Sequence, residues 1–179
     1  NTIKTLKKVF KEKTILLLGP GNSMKRQRSK VDVFIREHRP LIISVNYAPS
    51  TIKVDYIFLT NAKRYTQLLS DIKDSINEKA EIIATSNVTK TTGKFKCVLN
   101  YSSLIDAKAD VIDNSLVMLL KAVMELGVKA VYLAGFDGYS KRTDNYFNIS
   151  REYSFVKEKA SYLNQYVKEF LTSVTKNWM

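Results

Sequence analysis

The chain has 179 residues, a length typical of one domain, and 45% of them are hydrophobic, which is enough for a buried core. No apolar run approaches the roughly 20 residues of a membrane helix, no signal peptide is recognisable, and a single cysteine, Cys97, excludes an internal disulfide. We therefore predict one domain over residues 1–179, in the cytoplasm and without a membrane partner. Because the chain begins at Asn1 and not at Met, we expect a C-terminal fragment of a longer protein.

The formal net charge of +12 is concentrated near the N-terminus. Residues 1–30 contain nine Lys or Arg and one acidic residue, so they carry 9 − 1 = +8 of that charge. A local positive field attracts anions, and we expect Lys25, Arg26 and Arg28 to face one. The lysines within residues 1–12 are assigned to a solvated basic helix. No nucleic-acid recognition motif accompanies the charge, so we do not expect nucleic acid as a partner.

Helices and strands alternate along the chain. The basic helix at residues 1–12 has Ile3, Leu6, Val9 and Phe10 on its apolar face. Strands are predicted at 15–18, 41–45, 56–59, 81–85, 95–99 and 130–133, and further helices at 24–38, 63–72, 116–126 and 152–171. The first of these strands, 15–18, is an unbroken apolar run, which is typical of a parallel strand covered on both faces. The pattern predicts an α/β fold, a three-layer Rossmann-like sandwich with a mainly parallel sheet.

A glycine turn follows the first strand and precedes a helix. It contains Gly19, Gly21, Asn22 and Ser23. In such a turn, backbone N–H groups and a helix N-terminus can hold a phosphate, and glycine lets a ligand approach the backbone closely. The alternative is that the two glycines merely turn a strand into a helix.

Polar residues stand at the predicted carboxyl ends of other strands, where α/β sheets bind ligands. Asn46 and Asn61 follow the second and third strands, Asn114 and Ser115 open a helix, and Asp137 follows the last strand. Asparagine both donates and accepts hydrogen bonds, which suits a base edge, a ribose or a sugar hydroxyl. Alternatively, Asn114 is a helix cap, and Asp137 is a metal ligand, a base or a residue that fixes its own turn.

The sequence assigns no catalytic residue and identifies no cofactor. With one histidine, His38, and one cysteine, the usual zinc sites are not expected. A Ser–His or Cys–His pair with suitable placement is also missing, and no Walker-type lysine follows the glycine turn.

The motifs at residues 19–23, 44–46, 58–61 and 133–138 together resemble the Rossmann-like superfamily of bacterial sialyltransferases and motility accessory factors. Within it, the chain is most similar to the C-terminal domain of bacterial aldolase-type proteins from surface-polysaccharide gene clusters, in which an HMG-CoA-lyase-like barrel precedes such a domain. The resemblance covers about residues 13–140.

This resemblance implies that Asn46, Asn61 and the Asn114–Ser115 pair contact a nucleotide, with the glycine turn beside its phosphate. The sialyltransferases use a histidine base in a lid before the last helix. Residues 139–151 contain no histidine, so the sequence does not predict sialyl transfer by that mechanism. Tyr146, Arg151 and Tyr153 remain candidates for other contacts.

The function expected from these observations is binding of a nucleotide or a sugar phosphate. The domain would be an accessory part of an aldolase-type lyase for surface-polysaccharide biosynthesis, attached to an N-terminal catalytic barrel. An alternative is a stand-alone transferase, glycosyltransferase-like or diphosphokinase-like, that uses a nucleotide donor. A structural docking domain is a further alternative, and self-association into a homo-oligomer is left open.

Overall fold

The computed structural model describes residues 2–88, 94–148 and 152–176. In this part of the chain the six strands of one sheet are β1 (Thr14–Leu18), β2 (Leu41–Val45), β3 (Tyr56–Leu59), β4 (Glu81–Thr85), β5 (Cys97–Leu99) and β6 (Ala130–Ala134). Every neighbouring pair is parallel, and the order across the sheet is β5-β4-β3-β2-β1-β6. The predicted α/β fold with a parallel sheet is confirmed.

The helices cover both faces of this sheet. They are α1 (Thr2–Phe10), α2 (Ser23–Arg26), α3 (Arg28–His38), α4 (Ala62–Ile72), α5 (Tyr101–Leu104), α6 (Ser115–Glu125), α7 (Ser154–Glu158) and α8 (Ala160–Lys176). Helices α1, α6 and α8 pack on one face, and α3 and α4 pack on the other. The result is a three-layer sandwich.

Strand β1 shows why the apolar runs are unbroken. Ile15 and Leu17 belong to the core under α1, α6 and α8, whereas Leu16 and Leu18 belong to the core under α3 and α4. All four are at most 3% exposed. Successive side chains of a strand point to opposite faces, so a strand covered on both sides needs apolar residues at every position.

The N-terminal helix makes a narrower contact than its sequence predicts. Leu6 and Phe10 are buried, but Ile3 is 53% and Val9 is 39% exposed. Residues four apart lie on one line of a helix, so α1 contacts the sheet along the stripe of Leu6 and Phe10. Ile3 and Val9, which belong to the apolar face predicted from the sequence, lie beside this stripe and stay exposed.

Two predicted helices are interrupted. The helix expected at 24–38 breaks at Gln27, whose φ of −115° and ψ of 23° separate α2 from α3. The helix expected at 152–171 breaks at Lys159 and continues to Lys176. Helix α5 was not predicted, because four residues are too few to show a helical period.

Two buried elements agree with expectation. Helix α6 is apolar around most of its circumference and is deeply buried, and Gly127 follows it with a φ of 71°, the left-handed conformation that favours glycine after a helix. Cys97 is 1% exposed, and burial raises the pKa of its thiol. Within the described ranges, no helix is long and apolar enough to cross a membrane.

Candidate functional site

A cavity of about 590 Å³ opens at the carboxyl edge of the sheet. Loops that follow β1, β2, β3 and β6 form one side of it, and α7, α8 and the start of α6 form the other. Its volume is in the range of small-molecule sites. The sequence-predicted residues that line it are Gly21, Asn46, Asn61, Asn114, Ser115 and Asp137, whereas Gly19, Asn22 and Ser23 do not line it.

The glycine turn packs tightly against the loop that follows β6. The Gly19 N–H donates to the Ala134 carbonyl and the Gly21 N–H donates to the Gly135 carbonyl, each at 2.8 Å. A Cβ atom at Gly19 or at Gly21 would lie 2.5 Å from the Gly135 oxygen, which is closer than real contacts allow. Both glycines are therefore required by the approach of the two backbones, and both amides already have partners within the protein.

Asp137 completes this packing. Its carboxylate accepts a hydrogen bond from the Ser23 N–H at 2.7 Å and another from the Ser23 hydroxyl. A carboxylate therefore already occupies the N-terminus of α2, where a negative charge is favourable. Asp137 thus ties the loop after β6 to the glycine turn, and its expected role in fixing its own turn stays a prediction.

Asn46, Thr60 and Ser115 form a connected polar group on the cavity wall, although they come from three separate elements. The Asn46 Nδ2 donates to the Ser115 Oγ at 2.8 Å, and the Thr60 N–H donates to the Asn46 Oδ1 at 3.1 Å. The two hydroxyl oxygens of Thr60 and Ser115 are 2.8 Å apart. Asn46 has a φ of 61°, a left-handed conformation that asparagine tolerates better than most residues.

The other two predicted asparagines are helix caps. The Asn61 Oδ1 accepts from the backbone N–H of Lys63 at 2.8 Å and of Arg64 at 3.4 Å. The Asn114 Oδ1 accepts from the Val117 N–H at 3.2 Å. Each cap also lines the cavity, so the two roles are compatible at these positions.

Arg64 is a cavity residue that the sequence reasoning missed. Its side chain is 6% exposed, and its Nη1 donates to the Gln67 Oε1 at 3.0 Å. The guanidinium carbon lies 4.6 Å from the ring centre of Tyr153. The Tyr153 hydroxyl is buried and has no hydrogen-bond partner within the part of the chain that the structure describes. A buried guanidinium and this hydroxyl thus stand together in the cavity wall.

A signal for Arg64 does exist in the sequence. Lys63 and Arg64 occupy the first turn of α4, and that turn contains no acidic residue. The helix dipole makes a positive charge there unfavourable by a few tenths to about 1 kcal/mol. Two basic residues in that turn depart from the usual charge pattern, and this departure could have drawn attention to Arg64.

The basic residues of the N-terminal segment lie elsewhere. None of the nine Lys and Arg residues in 1–30 lines the cavity. The Arg28 guanidinium contacts the Asp32 carboxylate at 2.8 Å, and Lys25 lies 5.5 Å from the ring centre of Phe147. The expectation that Lys25, Arg26 and Arg28 face the bound anion does not fit this arrangement.

The segment after β6 closes one end of the cavity. The Asn164 side chain pairs with the Tyr139 backbone, accepting from its N–H at 2.7 Å and donating to its carbonyl at 2.8 Å. The Asn145 Nδ2 donates to the Glu152 Oε1 at 2.5 Å. Tyr146 forms a bridge with Gly21. These contacts fix the segment to α8 and to the glycine turn. Arg151, a further candidate from the sequence, lies outside the described residues.

The cavity tyrosines are neutral hydrogen-bonding groups. Burial raises the pKa of Tyr139 and of Tyr146 above the ordinary tyrosine value. Both phenols therefore stay protonated at neutral pH, and the Tyr139 hydroxyl accepts from the Asn114 Nδ2 at 3.3 Å. Among the described residues, no group of three or more His, Cys, Asp and Glu could hold a metal ion.

No protein-family model matches this chain, and a search of the curated proteins finds no match.

Proposed function

We propose that the cavity binds a small phosphorylated ligand, a nucleotide or a sugar phosphate. The observation that carries the proposal is the buried Arg64 in the wall of a ligand-sized cavity. Guanidinium groups bind phosphate with strong, directional hydrogen bonds.

As part of this proposal, we expect the phosphate at Arg64 and not at the glycine turn. The amides of Gly19, Gly21 and Ser23 already have partners within the protein, and the Asp137 carboxylate repels an anion at that turn. Arg64 and Tyr153 also line the cavity, where the Arg64 guanidinium supplies positive charge and the Tyr153 hydroxyl has no hydrogen-bond partner among the described residues. The glycine turn then has a packing role, and its ligand contact is limited to Gly21, which is buried but lines the cavity.

The Asn46, Thr60 and Ser115 group is suited to the neutral part of the ligand. Hydroxyl and amide groups match the alternating donors and acceptors of a sugar or a ribose. Because these groups already hydrogen-bond to one another, they are held in position before a ligand arrives. Such preorganisation reduces the entropic cost of binding.

We also propose that this domain is the ligand-binding accessory part of an aldolase-type protein of surface-polysaccharide biosynthesis. The support is that the motifs at the strand ends resemble those of the C-terminal domain of such proteins. A stand-alone transferase is the alternative. Turnover of a nucleotide-activated sugar by the isolated chain would favour the transferase, and binding without turnover would favour the accessory domain.

The test is a thermal-shift and calorimetric comparison of phosphorylated and unphosphorylated ligands. CMP, UMP, GMP and glucose 1-phosphate are compared with cytidine, uridine, guanosine and glucose. A ligand at 100 times its Kd stabilises by about 2.7 kcal/mol, which corresponds to a Tm increase of about 5–11 °C for a domain of this size. We expect such a shift from at least one phosphorylated ligand and a much smaller one from its unphosphorylated form.

Substitution of Arg64 shows whether the guanidinium is responsible. Removing one charged hydrogen bond costs about 1.5–3 kcal/mol, so Arg64→Met is expected to weaken binding about 10- to 150-fold. Arg64→Lys keeps the positive charge and is expected to lose less binding affinity than Arg64→Met. Arg36→Met, at an exposed position outside the cavity, is the matched control. Equal losses in Arg64→Met and Arg36→Met would contradict the proposal.

A further inference from the structure

The cavity has a second, apolar branch between strand β6 and helix α8. The register of the sheet pairs Leu133 of β6 with Leu17 of β1, so both side chains point to the face that α8 covers. Leu17 is fully buried, whereas Leu133 is 38% exposed and lines the cavity. Strand β6 is at the edge of the sheet, and α8 leaves Leu133 partly uncovered there, so that the cavity extends between the two as a gap.

The opposite wall of this gap is an apolar stripe of α8. Leu163, Val167 and Leu171 are spaced four residues apart, so they lie along one line of the helix, and all three line the cavity. Leu163 is 2% exposed and the other two are partly buried. Lys168 and Thr172 also line the cavity but are exposed, so they mark its mouth.

We propose that the ligand carries a linear hydrocarbon chain that occupies this branch. The proposal rests on the phosphate site at Arg64 and defines the ligand class more closely, as a phosphate joined to an apolar chain. The branch is continuous with that site, because Arg64 and the α8 stripe line the same cavity.

The chemistry of the walls favours a hydrocarbon over a nucleobase or a second sugar. A base or a sugar has polar atoms around its edge, and each costs free energy when it is buried without a hydrogen-bond partner. Leu133, Leu163, Val167 and Leu171 offer none. An alkyl chain gains from the same surface, because each methylene removed from water strengthens binding about fourfold.

The length of the stripe sets the length of the chain. Eight residues separate Leu163 from Leu171, a distance of about 12 Å at 1.5 Å per residue. An extended carbon chain advances about 1.25 Å per atom for bonds near 1.5 Å and angles near 111°. The branch therefore holds about ten carbons.

The experiment measures the affinity of the protein for a series of n-alkyl phosphates below their micelle concentrations, with inorganic phosphate as the reference. Affinity is expected to rise with each added carbon up to about ten and then to level off. Ordering the chain offsets part of the gain, so decyl phosphate is expected to bind at least about 50-fold more tightly than butyl phosphate. Neutral 1-decanol is expected to bind much more weakly than decyl phosphate.

Two substitutions locate the chain. Val167→Trp fills the branch and is expected to move the plateau to shorter chains, while Val167→Asp is expected to remove the chain-length dependence. The affinity of each variant for the alkyl phosphates is expressed relative to its own affinity for inorganic phosphate, so any effect of the substitution on the phosphate site cancels. Ser161→Asp, at an exposed position of α8 that does not line the cavity, is the control and should keep the full dependence.

The outcomes separate this inference from the proposed function. If phosphorylated ligands bind but affinity does not change with chain length, the chain site is wrong and the phosphate site stands. If no phosphorylated compound binds, both are wrong. If sedimentation instead shows a dimer that Leu133→Glu disrupts and decyl phosphate does not, the exposed β6 surface binds a second copy and the inference is overturned.

Discussion

The substitution Gly21→Ala distinguishes a packing role of the glycine turn from a ligand-binding role. The added Cβ would lie 2.5 Å from the Gly135 carbonyl oxygen and 2.7 Å from the Asp137 Cγ. The first of these is a backbone atom held by the Gly21 N–H hydrogen bond at 2.8 Å, so it cannot move without breaking that contact. The unliganded protein should therefore lose stability.

The expected loss is about 1–3 kcal/mol, the usual cost of inserting a methyl group into well-packed structure. For a domain of this size, 2 kcal/mol lowers the Tm by about 4–8 °C. The measurement is chemical and thermal unfolding without ligand. If Gly21→Ala leaves the unliganded protein as stable as the wild type and only weakens ligand binding, the glycine serves ligand approach and the packing argument is wrong.

Gly127→Ala is the matched control for this experiment. Gly127 has a φ of 71°, and a Cβ there would meet nothing within 4 Å, so its cost is backbone strain alone, about 1–2 kcal/mol. Neither ligand affinity nor the loop contacts should change. The two variants should therefore lose similar stability, Gly21→Ala through a steric clash and Gly127→Ala through backbone strain. Only Gly21→Ala should disturb the cavity.

Two other predictions concern stability. Asn61→Ala removes the cap of α4 and should lower the free energy of unfolding in urea by about 1 kcal/mol. Asn61→Asp keeps the accepting oxygen and should be nearly as stable as the wild type. If both variants lose the same stability, the cap does not contribute. Burial raises the folded-state pKa of Tyr139 and Tyr146, and that of Tyr166 to about 12, so the unfolded chain releases these protons first. Their stabilising contribution is full below the unfolded value near pH 10 and is lost as the pH rises above it. Alkaline unfolding followed by tyrosinate absorbance should therefore be shallower in Tyr146→Phe, and an unchanged slope would contradict this.

The sequence was sufficient for the fold because buried parallel strands have a simple pattern. The predicted strands at 41–45, 56–59 and 81–85 coincide with β2, β3 and β4. Each contains a run of apolar residues, as expected of buried parallel strands, although Ser44 interrupts β2 and the polar Glu81 and Thr85 end β4. The same reasoning failed at Gln27 and Lys159, where the backbone leaves the helical region but the apolar pattern continues.

The candidate site was predictable only in part. Placing Asn46 and Asn61 at one edge of the sheet followed from parallel topology, and both line the cavity. The partner of the glycine turn did not follow, because Gly19 and Gly135 are far apart in the sequence. A glycine indicates that something comes close to the backbone, and it does not tell whether that is a ligand or another segment of the protein.

The charge distribution is a second feature whose position in the fold could not be predicted from the sequence. A cluster of basic residues in the sequence attracts a ligand to a site only if the fold brings that cluster to the site. The basic residues of 1–30 do not line the cavity. Arg64 is less conspicuous in the sequence but is 6% exposed and lies in the cavity wall. Burying a charged side chain costs desolvation free energy, whereas a charge on the surface stays hydrated. The position of a buried arginine is therefore a better guide to a ligand site than the net charge of a segment. On the proposed function, Arg64→Met should weaken phosphate binding more than the loss of any exposed lysine in 1–30.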